Sequence, residues 1–342
     1  MGIPGPFRGT VVEVAKTGAV EKSKIAPAAV RSMLARGMTE LTGEKDEVLA
    51  WKRFFKPGEV VGIKACPVGK PLSISQPETI LEIIRCLNQA GVPNKDIIVF
   101  NRYEGEYRDA GIGKLLPPGV REAFASLTYD DVQTRTEGYD TDVFVEFPRV
   151  MTGQDPANPI NRRSHLCTIV SAVVDKVINV SCLKDHASAG ITMALKNLSH
   201  GLVNNVCRTH PSADINWCDT FIPGIVALPR IREKVVLQIC DGLIGTYDGG
   251  PGNWNPHFRT WEHSALFFST DPVAMDRIGW QILDKKRAEN NLPPLIETGK
   301  KLKNPGHETF DRQPQHVLLA AKAGLGEADL NRIVHKRIEM KA

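Results

Sequence analysis

Residues 177–203 read VINVSCLKDHASAGITMALKNLSHGLV, and the change of period inside that stretch decides the fold. Val177, Ile178 and Val180 give a β-branched opening that reads as a buried strand. Lys184, Asp185 and His186 end the strand, Ala187 to Gly190 make a turn, and a helix is expected from Ile191 to Leu202. In open α/β sheets, ligands bind beyond the carboxyl ends of the strands, where helix N-termini face the crevice. Lys184, Asp185 and His186 are expected at that rim. On the following helix, i,i+4 spacing puts Lys196 and His200 on one face, with Asn197 beside them.

The same alternation extends in both directions. Glu59 to Ala65 reads as a strand, Pro77 to Ala90 as a helix stopped by Gly91, and Ile97 to Phe100 as a second strand. That order implies a parallel crossover unit. Ser75 is expected to cap the helix, with Glu78 in its first turn. Lys64 sits near the end of the first strand, where an ammonium among apolar residues is aimed at a ligand or snorkels at the sheet edge. Further on, Val235 to Cys240 is a strand, Asp241 to Phe258 a glycine-rich loop, Ala265 to Ser269 a strand and Pro272 to Asn290 a helix that Asp271 caps. The expected class is α/β: a mostly parallel, doubly wound sheet with helices on both faces, or two linked α/β lobes. A soft boundary near residue 150 separates an N-terminal lobe, 1–150, from a C-terminal lobe, 151–342, that carries LKDH and ALKN.

With 342 residues the chain can bury a sizeable core. Its net charge of +4 is spread out, the densest basic runs being Lys285-Lys286-Arg287 and Lys300-Lys301. These lack interleaved aromatics and read as solvated helix faces, so nucleic acid is not an expected partner. The 7 cysteines are odd in number and widely spaced, which excludes a disulfide framework and paired C-x-x-C signatures. No apolar run is long enough for a membrane helix, and the first residues do not read as a signal peptide, as in a cytoplasmic protein or the trimmed form of an exported one.

Several short motifs occur together: Val60-Val61-Gly62-Ile63-Lys64, L-K-D-H and A-L-K-N between Asn179 and Asn197, Asp241-Gly242 with Gly249-Gly250-Pro251, and Ser269-Thr270-Asp271-Pro272-Val273-Ala274-Met275-Asp276. In combination, from Thr10 to Asp276, they resemble domain-of-unknown-function family 362. The resemblance implies bacterial relatives that include iron-sulfur proteins and exported proteins with a twin-arginine signal. Two departures stand out. The closely spaced cysteines of a ferredoxin-like segment are missing, which speaks against an iron-sulfur cluster of that kind. Cys66 stands where similar proteins look to have Asn, and Ser181-Cys182 where they look to have Pro-Val.

Several chemistries fit these residues. In a metal-assisted enzyme, Asp185, His186, His200 and Asp241 would bind a divalent metal ion, and Lys184, His186 and Lys196 would act on a small anionic substrate held by Lys64, Asn197 and Asp241. In a metal-free alternative the lysines bind a carboxylate or phosphate and His186 transfers protons. In a redox alternative, Cys66, Cys182 and Cys240 converge on a soft metal or cluster. As a binding protein, the chain would present the loop from Gly242 to Pro256, with Trp254 and Trp261, to a protein or glycan.

Overall fold

The computed structural model describes residues 1–128, 133–210, 216–298 and 312–341. Its centre is a nine-stranded sheet. In chain order the strands are β1 (Thr10–Lys16), β2 (Val61–Lys64), β3 (Ile97–Tyr103), β4 (Arg121–Ser126), β5 (Lys176–His186), β6 (Gly190–Ile191), β7 (Val235–Asp248), β8 (Arg259–Ser269) and β9 (Val334–Met340). Across the sheet the order is β9-β1-β8-β7-β5-β2-β3-β4, with β6 paired to β5. β7, β5, β2, β3 and β4 run parallel, as do β1 and β9, while β8 and the short β6 run against their neighbours. β2 lies directly against β5, so the sheet takes strands from both sides of residue 150.

Alternation along β5 explains why both faces carry helices. Ile178 and Val180 point into one apolar layer with α1 (Pro27–Thr42) and α2 (Pro77–Ala90). Val177 and Leu183 point into the other, with α3 (Ala194–Ser199), α4 (Cys218–Val226), α5 (Pro272–Ala288) and α6 (His316–Lys322). The crossover unit matches its reading closely, since α2 ends at Ala90 and Gly91 adopts φ 100° to stop it.

Three local expectations are corrected. Asp241 does not open a loop: pairing with β8 carries β7 on to Asp248, and the register shifts after Gly242 and Thr246 absorb the glycines as bulges. The ALKN helix is one short segment, Ala194–Ser199, rather than Ile191 to Leu202. Ser75 does not cap α2, because its Oγ accepts from Cys66 N and donates to Val180 O. Of the basic runs, Arg287 turns inward from α5 and donates to Pro293 O, Tyr247 O and Asp248 Oδ1, while Lys300-Lys301 lies outside the described residues. No helix among the described residues is long and apolar enough to cross a membrane.

Away from the strand ends, one buried carboxylate joins both flanks of β1. Glu13 Oε2 lies 2.9 Å from His335 Nε2 of β9, and its Oε1 lies 3.3 Å from His263 Nε2 of β8. Burial pushes the Glu13 carboxyl up, but the two histidines and Arg337 outweigh it and hold the value at about 2 against an ordinary 4.5. A value depressed by folding contributes stability above the ordinary value and loses it as pH falls toward the depressed one. Glu13→Gln is therefore expected to cost about 1–3 kcal/mol near neutral pH. In urea denaturation the wild-type advantage should shrink as pH is lowered from 4.5 toward 2.

Candidate functional site

Beyond the ends of β2, β3 and β5 lies a cleft of about 500 Å³. Lys64, Lys184, His186, Lys196, Asn197 and His200 line it, so most of the residues singled out in the sequence come together there. Asn101, Arg102, Glu106, Cys66 and His210 join them, and the loop after β7 adds Pro251 and Trp254. Among the described residues, Glu106 is the only carboxylate in the lining.

The floor is a buried polar chain. Lys64 Nζ donates to Ala65 O at 2.6 Å, Asn101 Oδ1 at 3.0 Å and Asn197 Oδ1 at 3.1 Å. Asn197 Nδ2 donates to Asn179 Oδ1 at 2.7 Å, and Asn179 Nδ2 to Gln238 Oε1 at 2.8 Å, tying the ALKN helix to β5 and β7. Three donor protons of Lys64 thus meet three neutral acceptors and no carboxylate. Burial consequently pulls its value down to about 8. Gly201 has to be glycine, because a Cβ would stand 2.3 Å from Asn197 O and 2.9 Å from Lys64 Nζ.

Lys184 and Lys196 differ in their surroundings. Lys184 Nζ lies 3.5 Å from Cys66 Sγ and also donates to Val68 O. Burial alone would lower the Lys184 value, but the neighbouring Cys66 and Cys182 sulfurs raise it overall. Lys196 is 7% exposed and has no hydrogen bond or ion pair among the described residues. Burial pulls it down to about 8.

Three histidine rings pack in series, His186 to His210 and His210 to His200, each pair 5.4 Å between centroids. Burial beside the Lys196 charge keeps all three neutral, with His186 and His200 well below the ordinary value and His210 down to about 3. The tautomer of His186 follows from its contacts. Its Nδ1 accepts from Ser188 N at 3.0 Å and Ala189 N at 3.1 Å, so the ring proton sits on Nε2.

Those contacts correct the expected ligand set of Asp185, His186, His200 and Asp241. His186 Nε2 is a donor and has no lone pair for a metal. Asp185 lies outside the cleft: its Oδ1 accepts from Gly250 N at 2.7 Å and its Oδ2 pairs with Arg312 at 2.8 Å. Gly250 itself leaves no space for a side chain, since a Cβ would stand 2.2 Å from Asp185 O. Asp241 points to the α2 face and braces the start of that helix, accepting from Gln76 N at 3.0 Å and Thr79 Oγ1 at 2.7 Å, which removes it from the substrate-binding set as well. Asp276 does the same for α3, accepting from Ala194 N at 2.7 Å and Leu195 N at 3.0 Å.

The cysteine trio is not gathered either. Register pairs Cys182 with Asp241 and Ser181 with Cys240, so Cys182 and Cys240 point to opposite faces of the sheet. Cys66 and Cys182 remain neighbours, Cys182 Sγ lying 3.8 Å from Cys66 O. Instead, ligand atoms of His200, His210 and Cys218 come within 4.8 Å of one another. His210 and Cys218 carried no motif in the sequence. Trp254, at 70% exposure, stands at the cleft mouth, whereas Trp261 packs on Tyr247 and His263.

Fold and site together define an α/β protein with a cationic crevice at its strand ends. Residues 68–281 match the family described as Domain of unknown function (DUF362), and the chain belongs to that family. The match contains LKDH and ALKN, while Lys64 and Cys66 lie just before it. No curated protein matches. A solved protein from Thermotoga maritima is similar with a TM-score of 0.39 and 8% identity, over 80% of this chain and 61% of that one. This chain thus spans less than two thirds of that protein's length.

The assigned tautomer is directly measurable. Imidazole nitrogen chemical shifts should show His186 Nδ1 unprotonated and the ring neutral to well below the pH at which an ordinary imidazole titrates. A proton on Nδ1 would contradict the assignment.

Proposed function

We propose that the cleft binds a small anionic molecule, a carboxylate or a phosphate, and moves protons at it without a metal. The observation that carries this reading is Lys196, a buried ammonium facing the cleft with no partner among the described residues. An ammonium largely withdrawn from water with no countercharge beside it is costly, and a bound anion offsets that cost. Lys184 and Arg102 add positive charge around the same space, and His186 Nε2–H supplies a neutral donor. With a value of about 8, Lys196 can hold or give up a proton near neutral pH, as a general acid or base requires.

Calorimetry with inorganic phosphate and malonate tests the reading. Lys196→Met should weaken binding by about 1.5–3 kcal/mol, roughly tenfold to a hundredfold. The same variant should unfold at a higher temperature than the wild type without ligand, because it removes an unpaired buried charge. Equal affinity in both proteins, or no binding of either anion, would overturn it. The pH dependence has a defined sign. Lys64 and Lys196 are charged below about 8 and lose protons above it, so affinity should fall as pH rises through that value, with proton uptake on binding.

A second reading rests on His200, His210 and Cys218, whose nitrogen and sulfur ligands suit a divalent ion such as zinc. His210 Nδ1 stands 3.7 Å from Cys218 Sγ, but both His200 nitrogens are occupied by Ser199 and Thr209 hydroxyls. Elemental analysis of the native protein decides it. A stoichiometric metal that Cys218→Ser loses supports this reading, and metal-free protein that still binds phosphate supports the first.

A further inference from the structure

Two cysteines line the cleft, Cys66 and Cys207, and at Cys66 the Lys184 ammonium stands beside the sulfur. Lys184 Nζ is fixed by the carbonyl of Val68 and sits 3.5 Å from Cys66 Sγ, beneath the same crevice into which Lys196 points. The loop that carries Cys66 is held on both sides. Its backbone N–H donates to Ser75 Oγ at 2.7 Å, and its carbonyl lies 3.8 Å from Cys182 Sγ. A purely structural thiol needs neither access to a cavity nor a paired ammonium. Lys196, buried and unpartnered in the same wall, independently indicates an anion within reach of that sulfur.

We propose that Cys66, paired with Lys184, is a covalent nucleophile, and that its substrate is a small carboxylate- or phosphate-bearing compound with an electrophilic carbon and a leaving group. The proposal rests on the anion-binding reading of the cleft and adds the reacting atom to it. The sulfur forms a bond to the electrophilic carbon, the bond from that carbon to the leaving group breaks, and the electron pair departs with the leaving group. Lys196, as an ammonium, supplies the proton where the leaving group needs one. His186 does not, because losing its only ring proton would leave an imidazolate. Consistent with the geometry, the hydrogen bond from Cys182 and the charges of Lys184 and Lys64 hold the Cys66 thiol well below its ordinary value, while burial raises Cys182.

The test is site-resolved alkylation of the full-length protein, with the modified peptides read by mass spectrometry. Iodoacetamide should modify Cys66 with a pH–rate midpoint well below the roughly 8.5 of an ordinary thiol, and Lys184→Met should move the midpoint up. Iodoacetate, itself an anion with a leaving group, should react at Cys66 at least about tenfold faster than iodoacetamide, and inorganic phosphate should slow it. Ultraviolet thiolate absorbance of wild type against Cys66→Ser gives the same midpoint without Lys184→Met, should that variant fail to fold. An ordinary midpoint, or Cys66 reacting no faster than the half-buried Cys207, overturns the proposal and leaves the anion site standing. A low midpoint with no preference for iodoacetate overturns the anion site, and with it the substrate class named here.

Discussion

Three ammonium groups, those of Lys64, Lys184 and Lys196, lie below the surface of one cleft whose described lining contains a single carboxylate, Glu106. Each would be strongly hydrated in the unfolded chain, and each gives that up on folding. The molecule answers in three ways. Lys64 is wrapped in neutral oxygens, Lys184 is set against a sulfur and a carbonyl, and Lys196 is left without a partner. Neutral histidines complete the wall, since a protonated imidazole beside Lys196 would add to the repulsion. The resulting surplus of positive potential is a property of the folded backbone, which brings strand ends from distant parts of the chain to one rim.

Holding that rim together falls to buried aspartates. Asp241 reaches from β7 to the start of α2, and Asp276 from α5 to the start of α3. Asp271 accepts from Val273 and Ala274 in its own helix, and from Gly9 and Glu327 at 3.0 and 2.9 Å. Asp276 and Asp271 satisfy the first N–H groups of α3 and α5, and Asp241 ties the residue before α2 and the Thr79 hydroxyl to β7. The acids at the strand ends are therefore largely spent on geometry, which is why the cleft they frame stays positive.

Much of this was legible in the sequence because it depends on period and on local punctuation. The strand–helix–strand unit around Pro77 to Ala90, the placing of Lys64, Lys184 and His186 at strand ends, and Lys196 on the helix that follows, come from patterns over short windows. The roles of the acids were not legible, because a carboxylate that braces a remote part of the chain looks the same as one that binds a metal. Asp185 and Asp241 show this, as their partners Arg312 and Thr79 are remote in the chain. His210 and Cys218 escaped notice because they join His200 through packing between irregular segments, with no spacing rule to reveal them. The continuation of β7 past Asp241 was hidden by glycines that suggest a loop until a partner strand is known.

The location of β1 has a consequence for biosynthesis. Its neighbours are β8 and β9, and Glu13 meets His335 across a sequence separation of 322 residues. A nascent chain must carry this apolar segment unpaired while roughly 250 further residues are made, since its first neighbour, β8, begins only at Arg259. Docking of β1 is therefore a late event of folding, and until then its apolar residues are free to pair wrongly.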